Sequence, residues 1–292
     1  MRLRPLALAL ALAACAHHPA PVVSTARHRR GRHVDAPPSE AAALVRSLSD
    51  EVGPRLAGSP GDARAVAWAL RTMRSMGLAA VRAEPVRVPH WERGVERGEI
   101  VAPYPHPVAL TALGGSVGTA PEGVEAEVVE ADSLEGLEAL PEARVRGRIV
   151  YVHRVMQRGP TGQGYGDAVP VRGRAAVAAA RKGAVAVIVR SIGTDGSRAP
   201  HTGATRYDDA VPRIPAAALS TADGDILHRI VHADAGPVRF RLTLGCRALP
   251  DADSANVVGE VPSSTTSTRG TSARAPSTTA RGWPSCSPPR GA

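Results

Sequence analysis

The sequence predicts an α/β fold in which two helices and a strand lead into a separate α+β module, after which one further strand returns to the first part. Three observations carry this expectation. Apolar residues recur at helical spacing between Ser39 and Gly77. From about Ile100 the chain changes to short apolar runs separated by Gly, Pro and acidic turns, with two helical stretches between them. After residue 250 a last apolar run, "DSANVVGEV", stands alone.

Within 292 residues there is room for two ordinary domains. The apolar fraction is 43% but aromatics are only 3%, so any core is aliphatic.

Residues 1–15, "MRLRPLALALALAAC", combine Arg2 and Arg4 with an apolar run from Leu6 to Leu12 that is too short to span a bilayer. This is the pattern of an export signal. Leu12-Ala13-Ala14-Cys15 resembles a bacterial lipobox, which makes Cys15 the expected lipid attachment and the membrane a partner through that anchor. The expected location is outside the cytoplasm, periplasmic or at the outer membrane. Residues 16–38 are polar and aperiodic and are expected to be a flexible linker. His17, His18, His28 and His33 lie here without a carboxylate or Cys at ligand spacing and are not read as a metal site. Cys246 and Cys286 alone make no disulfide framework.

The first helix is read from "SEAAALVRSLSDEV", which places Ala43, Leu44, Leu48 and Val52 on one stripe. The second has Ser59 as its cap, Pro60 at its first position and Asp62 where a capping-box acid sits, with Gly77 as its stop. "AAVRAEPVRVPHWERG" alternates and reads as a strand running into a loop. In the module, "VALTALGG", "VEAEVVEA", "GRIVYVHR", "GAVAVIVRS", "RIPAAALS" and "PVRFRLTLG" read as strands of an α+β or β-sandwich unit. "VRGRAAVAAARKG" reads as a helix ending at Gly183, and "STADGDILHRIVHADAG" as a helix ending at Gly236. The run around Asn256 is apolar enough to want neighbours on both sides, as in a parallel sheet covered by helices.

The net charge of +9 points first to an anionic partner. The excess lies in "RHRRGRH" and in Arg269, Arg274, Arg281 and Arg290, outside the organised part, and no nucleic-acid motif stands between them. Nucleic acid is therefore not an expected partner.

Six strings, taken together and in order, resemble the carboxypeptidase Q-like branch of the zinc-dependent exopeptidases. They are "VGPRLAGS" (Val52 to Ser59), "EPVRVPHWERG" (Glu84 to Gly94), "GSVGTAPEGVEAEV" (Gly115 to Val128), "GRIVYV" (Gly147 to Val152), "PHTGATRYDDAVPRIP" (Pro200 to Pro215) and "DSANVVGEV" (Asp253 to Val261). The resemblance implies an incomplete zinc-exopeptidase α/β domain (39–99, with a return strand at 251–261) interrupted by an α+β protease-associated domain (100–250). It implies small peptides as substrates and two zinc ions as the cofactor, clamping water and peptide carbonyl together. The family's ligand strings, His-Leu-Asp-Ser-Trp-Asp and Asp-Asp-Gly, do not occur in this sequence. No catalytic and no metal-ligating residue is accordingly assigned, and the chain as written is expected to be inactive and not to bind zinc.

The tail, 262–292, is rich in Ser, Thr, Arg, Gly and Pro and without period, so it is expected to be disordered. Permitted codons for Thr265 to Thr271, ACC ACC TCG ACT CGT GGG ACC, read from the third base give His-Leu-Asp-Ser-Trp-Asp. Continuing through Ser287 gives a run containing Asp-Asp-Gly. The tail thus reads as the missing ligand loop out of frame, joined near Pro262.

Among residues present, His201 and Thr202 in "PHTG" are expected to face the catalytic cleft from the inserted domain, as the resemblance implies. His90 and Glu92 tempt as an acid-base pair, but at i and i+2 in a loop they are expected to point apart, which leaves His90 a cleft-side structural residue. Asp167, Asp208 and Asp209 lack EF-hand spacing. "GGSVGTAPEG" lacks a P-loop ending, and Cys246 lacks a base to activate it. The alternative reading is a non-enzymatic peptide- or protein-binding module built on the protease-associated domain.

Overall fold

The structure, a computed structural model, describes residues 39–261. The expected export signal, Cys15, the linker and the tail all lie outside them. Among the described residues no helix is long and apolar enough to cross a membrane.

Helix α1 (Glu40–Ser47) leads into a π-type turn, Leu48–Val52. Helix α2 (Pro60–Ser75) starts as its residues dictate: Asp62 N–H donates to Ser59 Oγ at 3.3 Å, Asp62 Oδ2 accepts from Gly58 N–H at 3.0 Å, and Pro60 fills the first turn. Gly77, at φ +79°, lets the chain leave the helix. Strands β1 (Ala79–Glu92) and β10 (Arg247–Glu260) then pair antiparallel in a two-stranded ribbon, with Glu84 opposite Asn256.

Two expectations are corrected here. The last strand begins at Arg247 and, among the described residues, pairs with β1 alone and antiparallel. Its half-buried pattern suits a ribbon backed by α2, whose Met73 reaches Gly259. His90 and Glu92 are strand residues and not loop residues. A strand has a side-chain period of two, so they share a face, with Nε2 and Oε1 3.9 Å apart.

Between the ribbon strands lie β2 (Glu96–Ala102), β3 (His106–Val108), β4 (Leu110–Ala112), β5 (Val124–Ala131), α3 (Leu134–Ala139), α4 (Glu142–Val145), β6 (Ile149–Val152), α5 (Gln163–Ala168), α6 (Pro170–Arg181), β7 (Ala186–Arg190), β8 (Ala216–Leu219), α7 (Thr221–Val231) and β9 (Arg239–Leu244). They build one eight-stranded sheet ordered β3-β2-β9-β5-β6-β7-β8-β4. The strands β5 to β8 run parallel and the flanks antiparallel. The terminal strands β3 and β4 are separated in the chain by Ala109 alone, so the sheet curls until its two ends approach. It is a curled mixed sheet with helices, not a sandwich.

Both faces of its centre are buried, which explains the unbroken apolar runs. Inside the curl, Ile149, Tyr151, Ile188, Leu219 and Phe240 pack with Leu227 of α7. On the other face Val150, Val152, Val187 and Val189 pack against α3, α4 and α6 through Leu137, Val145, Ala176 and Ala179. Helix α7 is capped by Ser220 and ends at Val231, short of Gly236; Asp234 already has φ +51°.

Candidate functional site

Loop residues that leave the C-terminal end of β7 hold the two expected cleft residues. His201 N–H donates to Ser191 Oγ at 2.7 Å, and Thr202 Oγ1 donates to Ala112 O at 2.9 Å. Both side chains are exposed. The same loop continues as Gly203 to Asp208 and forms one wall of a groove of about 810 Å³. The opposite wall comes from α5 and α6. There Arg172 is buried, with Nη1 donating to Thr202 O at 2.7 Å and Nη2 to Tyr165 Oη at 3.1 Å. Its Nε has no partner. A Cβ on Gly203 would lie 2.6 Å from Arg172 Cδ, so a side chain there would push the guanidinium aside. Arg174, Arg206 and Tyr207 complete this lining together with the acidic Glu138 and Asp208, so cationic, anionic and aromatic groups share the groove.

His90 is in the ribbon, its side chain 16% exposed and its Nε2 without a hydrogen-bond partner. Among the described residues no hydrogen bond or ion pair joins it to His201 or Thr202. Cys246 is buried, its thiol donating to Ser116 O at 3.2 Å; burial pushes the thiol up, so it is no nucleophile. Asp208 and Asp209 form surface ion pairs with Arg181 and Arg213.

One group was missed by the sequence reading. Glu130 near the end of β5 meets His228 and His232 from α7 and its C-cap. Glu130 Oε1 is 2.8 Å from His228 Nδ1 and 3.3 Å from His232 Nε2. His153 stacks on His228 with ring centroids 4.0 Å apart. It is held by Asp225 at 3.1 Å, and Asp225 in turn by Arg190 at 2.7 Å. Burial draws the His153 imidazole below its ordinary value, against the raising pull of Asp225. Nearly a hundred residues separate Glu130 from His228, so spacing along the chain had nothing to reveal. The His-x-x-x-His pair at 228 and 232 was the available clue.

The PA domain family matches residues 106–227. A solved Peptidase M28 precursor from Shewanella amazonensis is 43% identical with a TM-score of 0.70, covering 74% of this chain and 48% of that one. BSAP, a zinc aminopeptidase from Bacillus subtilis, is 20% identical with a TM-score of 0.50, covering 74% of this chain and 45% of that one, and shares the fold alone. The chain is thus a PA-domain relative of the M28 peptidases. Within that class it is carboxypeptidase Q-like: carboxypeptidase Q is 36% identical over 214 residues in Homo sapiens and 38% over 214 in Rattus norvegicus. These alignments cover 73% of this chain and 44% of each relative, so the chain spans less than half the length of the curated relatives it matches.

The residues described do not fit a two-zinc centre. Two metals need a bridging carboxylate and further donors on both sides, whereas the cluster here offers one carboxylate and two imidazoles, on the inserted module.

Proposed function

We propose that this chain is part of an extracytoplasmic, lipid-anchored exopeptidase that uses two zinc ions to hydrolyse small peptides. The observation that supports this most is the similarity to carboxypeptidase Q over 73% of the chain. The metal-ligand strings are read out of frame in residues 265–287, and the chain as written is inactive and its Cys15 carries the lipid. The pairing of β10 with β1 supports the same reading, because it joins the segments on either side of the inserted module, as in a peptidase domain interrupted by an insertion. His201 and Thr202 then stand on the inserted domain at the margin of that cleft.

The test has two arms. Sequencing the gene through the codons of Ser263 to Thr271 is expected to allow the His-Leu-Asp-Ser-Trp-Asp string in the shifted frame; codons that forbid it overturn the frame reading. The frame-restored protein is expected to hydrolyse dipeptides while the chain as written does not. Turnover by the latter overturns its inactivity.

A second reading, a binding module without catalysis, is favoured by the groove between Tyr165, Arg172 and Tyr207. Binding of a peptide carboxylate there, with no turnover after frame restoration, supports it instead.

A further inference from the structure

The cluster beside α7 has features that ion pairing leaves unexplained. The Glu130 side chain is 12% exposed, and its Oε2 is buried without any hydrogen-bond partner. Leaving a buried carboxylate oxygen unpaired costs stability, and such groups in folded proteins usually signal a role. His228 and His232 are four residues apart, which puts both rings on one side of the helix. One ligating atom from each of the three residues lies within 4.8 Å of the other two. The rings are also oriented in advance: His153 stacks on His228 with 14° between the planes, and the Asp225 and Arg190 chain fixes His153. Outer groups of this kind set the orientation of metal-binding imidazoles.

Two imidazoles and one carboxylate are the donor set of zinc and its first-row neighbours, whereas calcium and magnesium demand oxygens. Zinc bonds of roughly 2.0–2.1 Å at a tetrahedral angle place donors about 3.3 Å apart. The His232 to Glu130 distance is already 3.3 Å, and the His228 to Glu130 distance of 2.8 Å has to open slightly. The His232 side chain is 61% exposed, so the fourth position faces water.

We propose that Glu130, His228 and His232 form a mononuclear site for a zinc-class divalent cation on the inserted module, pinning α7 to β5. The site rests on these three residues alone and stands or falls without the proposed peptidase activity.

The test uses the full chain stripped of metal by chelator dialysis, with zinc titrated against a chromophoric competitor. Wild type is compared with His232→Ala and Glu130→Gln. The histidines at 17, 18, 28 and 33 are common to all three proteins and cancel in the comparison. Wild type is expected to bind one more zinc than either variant with at least tenfold preference, and to gain thermal stability from zinc that magnesium does not give. Cobalt is expected to produce visible tetrahedral bands in wild type only. Because His232 is exposed at a helix end, its variant is expected to keep the metal-free melting temperature, so loss of zinc in it reports ligation rather than unfolding. Equal zinc stoichiometry in all three proteins, or cobalt spectra that ignore both substitutions, overturns the site.

Discussion

Asp223 has no solvent exposure, yet it is charged and has four polar partners. Ser220 Oγ donates to it at 2.7 Å, Ala109 N–H at 2.9 Å and Arg198 Nε at 3.2 Å; His106 Nε2 lies 3.4 Å away; and its own N–H returns a bond to Ser220. It holds the capping hydroxyl of Ser220 in place and ties α7 to the Ala109 link between the two ends of the sheet. Burial pushes its carboxyl up, but the bonds from Ser220, Ala109, Arg198 and His106 outweigh this and hold it below the ordinary carboxylate value. Asp223→Asn is expected to lose about 2–3 kcal/mol in urea unfolding at neutral pH, the scale of removing a charged acceptor from a buried set of hydrogen bonds. A pKa depressed by folding contributes stability above the unfolded value of roughly 3.9, and that contribution disappears as pH falls through the lower folded value. The gap between wild type and Asp223→Asn is therefore expected to be full at pH above about 5 and to shrink below about 4. A gap that stays constant between neutral and acid solution refutes this role.

Where the chain enters and leaves the inserted module, two glycines touch. Gly94 follows β1 with φ +67°, and a Cβ on it would lie 2.4 Å from Gly245 O; Gly245 N–H donates to Val95 O at 2.7 Å. Gly94→Ala combines a left-handed backbone with a backbone clash and is expected to cost about 2–4 kcal/mol, read as a fall in melting temperature. An unchanged melting temperature means the crossing relaxes freely. Among the described residues the ribbon of β1 and β10 is backed by α2, and two strands alone are marginal in water. Its amides are expected to exchange with deuterium much faster than those of β6 and β7, which are buried on both faces. Equal protection contradicts this ranking. The unbroken apolar runs of β6 to β8 and the cap at Ser59 were legible in the sequence because local chemistry dictates them. The Gly183 stop was too. The short helices α3, α4 and α5 were not, since four to six residues leave no period to read. The His90 and Glu92 face was misjudged because β1 runs on through Glu92. The Glu130 cluster depended on the curl of the sheet, which no local pattern encodes.

At the scale of the molecule the inserted module is closed on itself. Its two aliphatic cores flank one sheet whose ends are joined through Ala109, and every strand of that sheet lies between Glu96 and Leu244. Only the Gly94 and Gly245 crossing links the sheet to the ribbon along the chain, with Trp91 adding a contact: its ring packs on the inner core and its Nε1 donates to Ser116 O at 2.9 Å. A fragment from residue 93 to 247 keeps both cores and loses that one aromatic contact. The burial lost is that of a partly buried ring, on the order of 1–3 kcal/mol, against a stability of roughly 5–15 kcal/mol for a domain of this size. The fragment is therefore expected to fold alone, with a cooperative thermal transition a few degrees below the corresponding transition of the full chain. The complementary ribbon with α2, which has no sheet to cover among the described residues, is expected to give no cooperative transition by itself. Circular dichroism melts of both pieces decide the matter: a fragment that melts without cooperativity shows that the ribbon completes the module, and that the two parts of this chain fold as one unit.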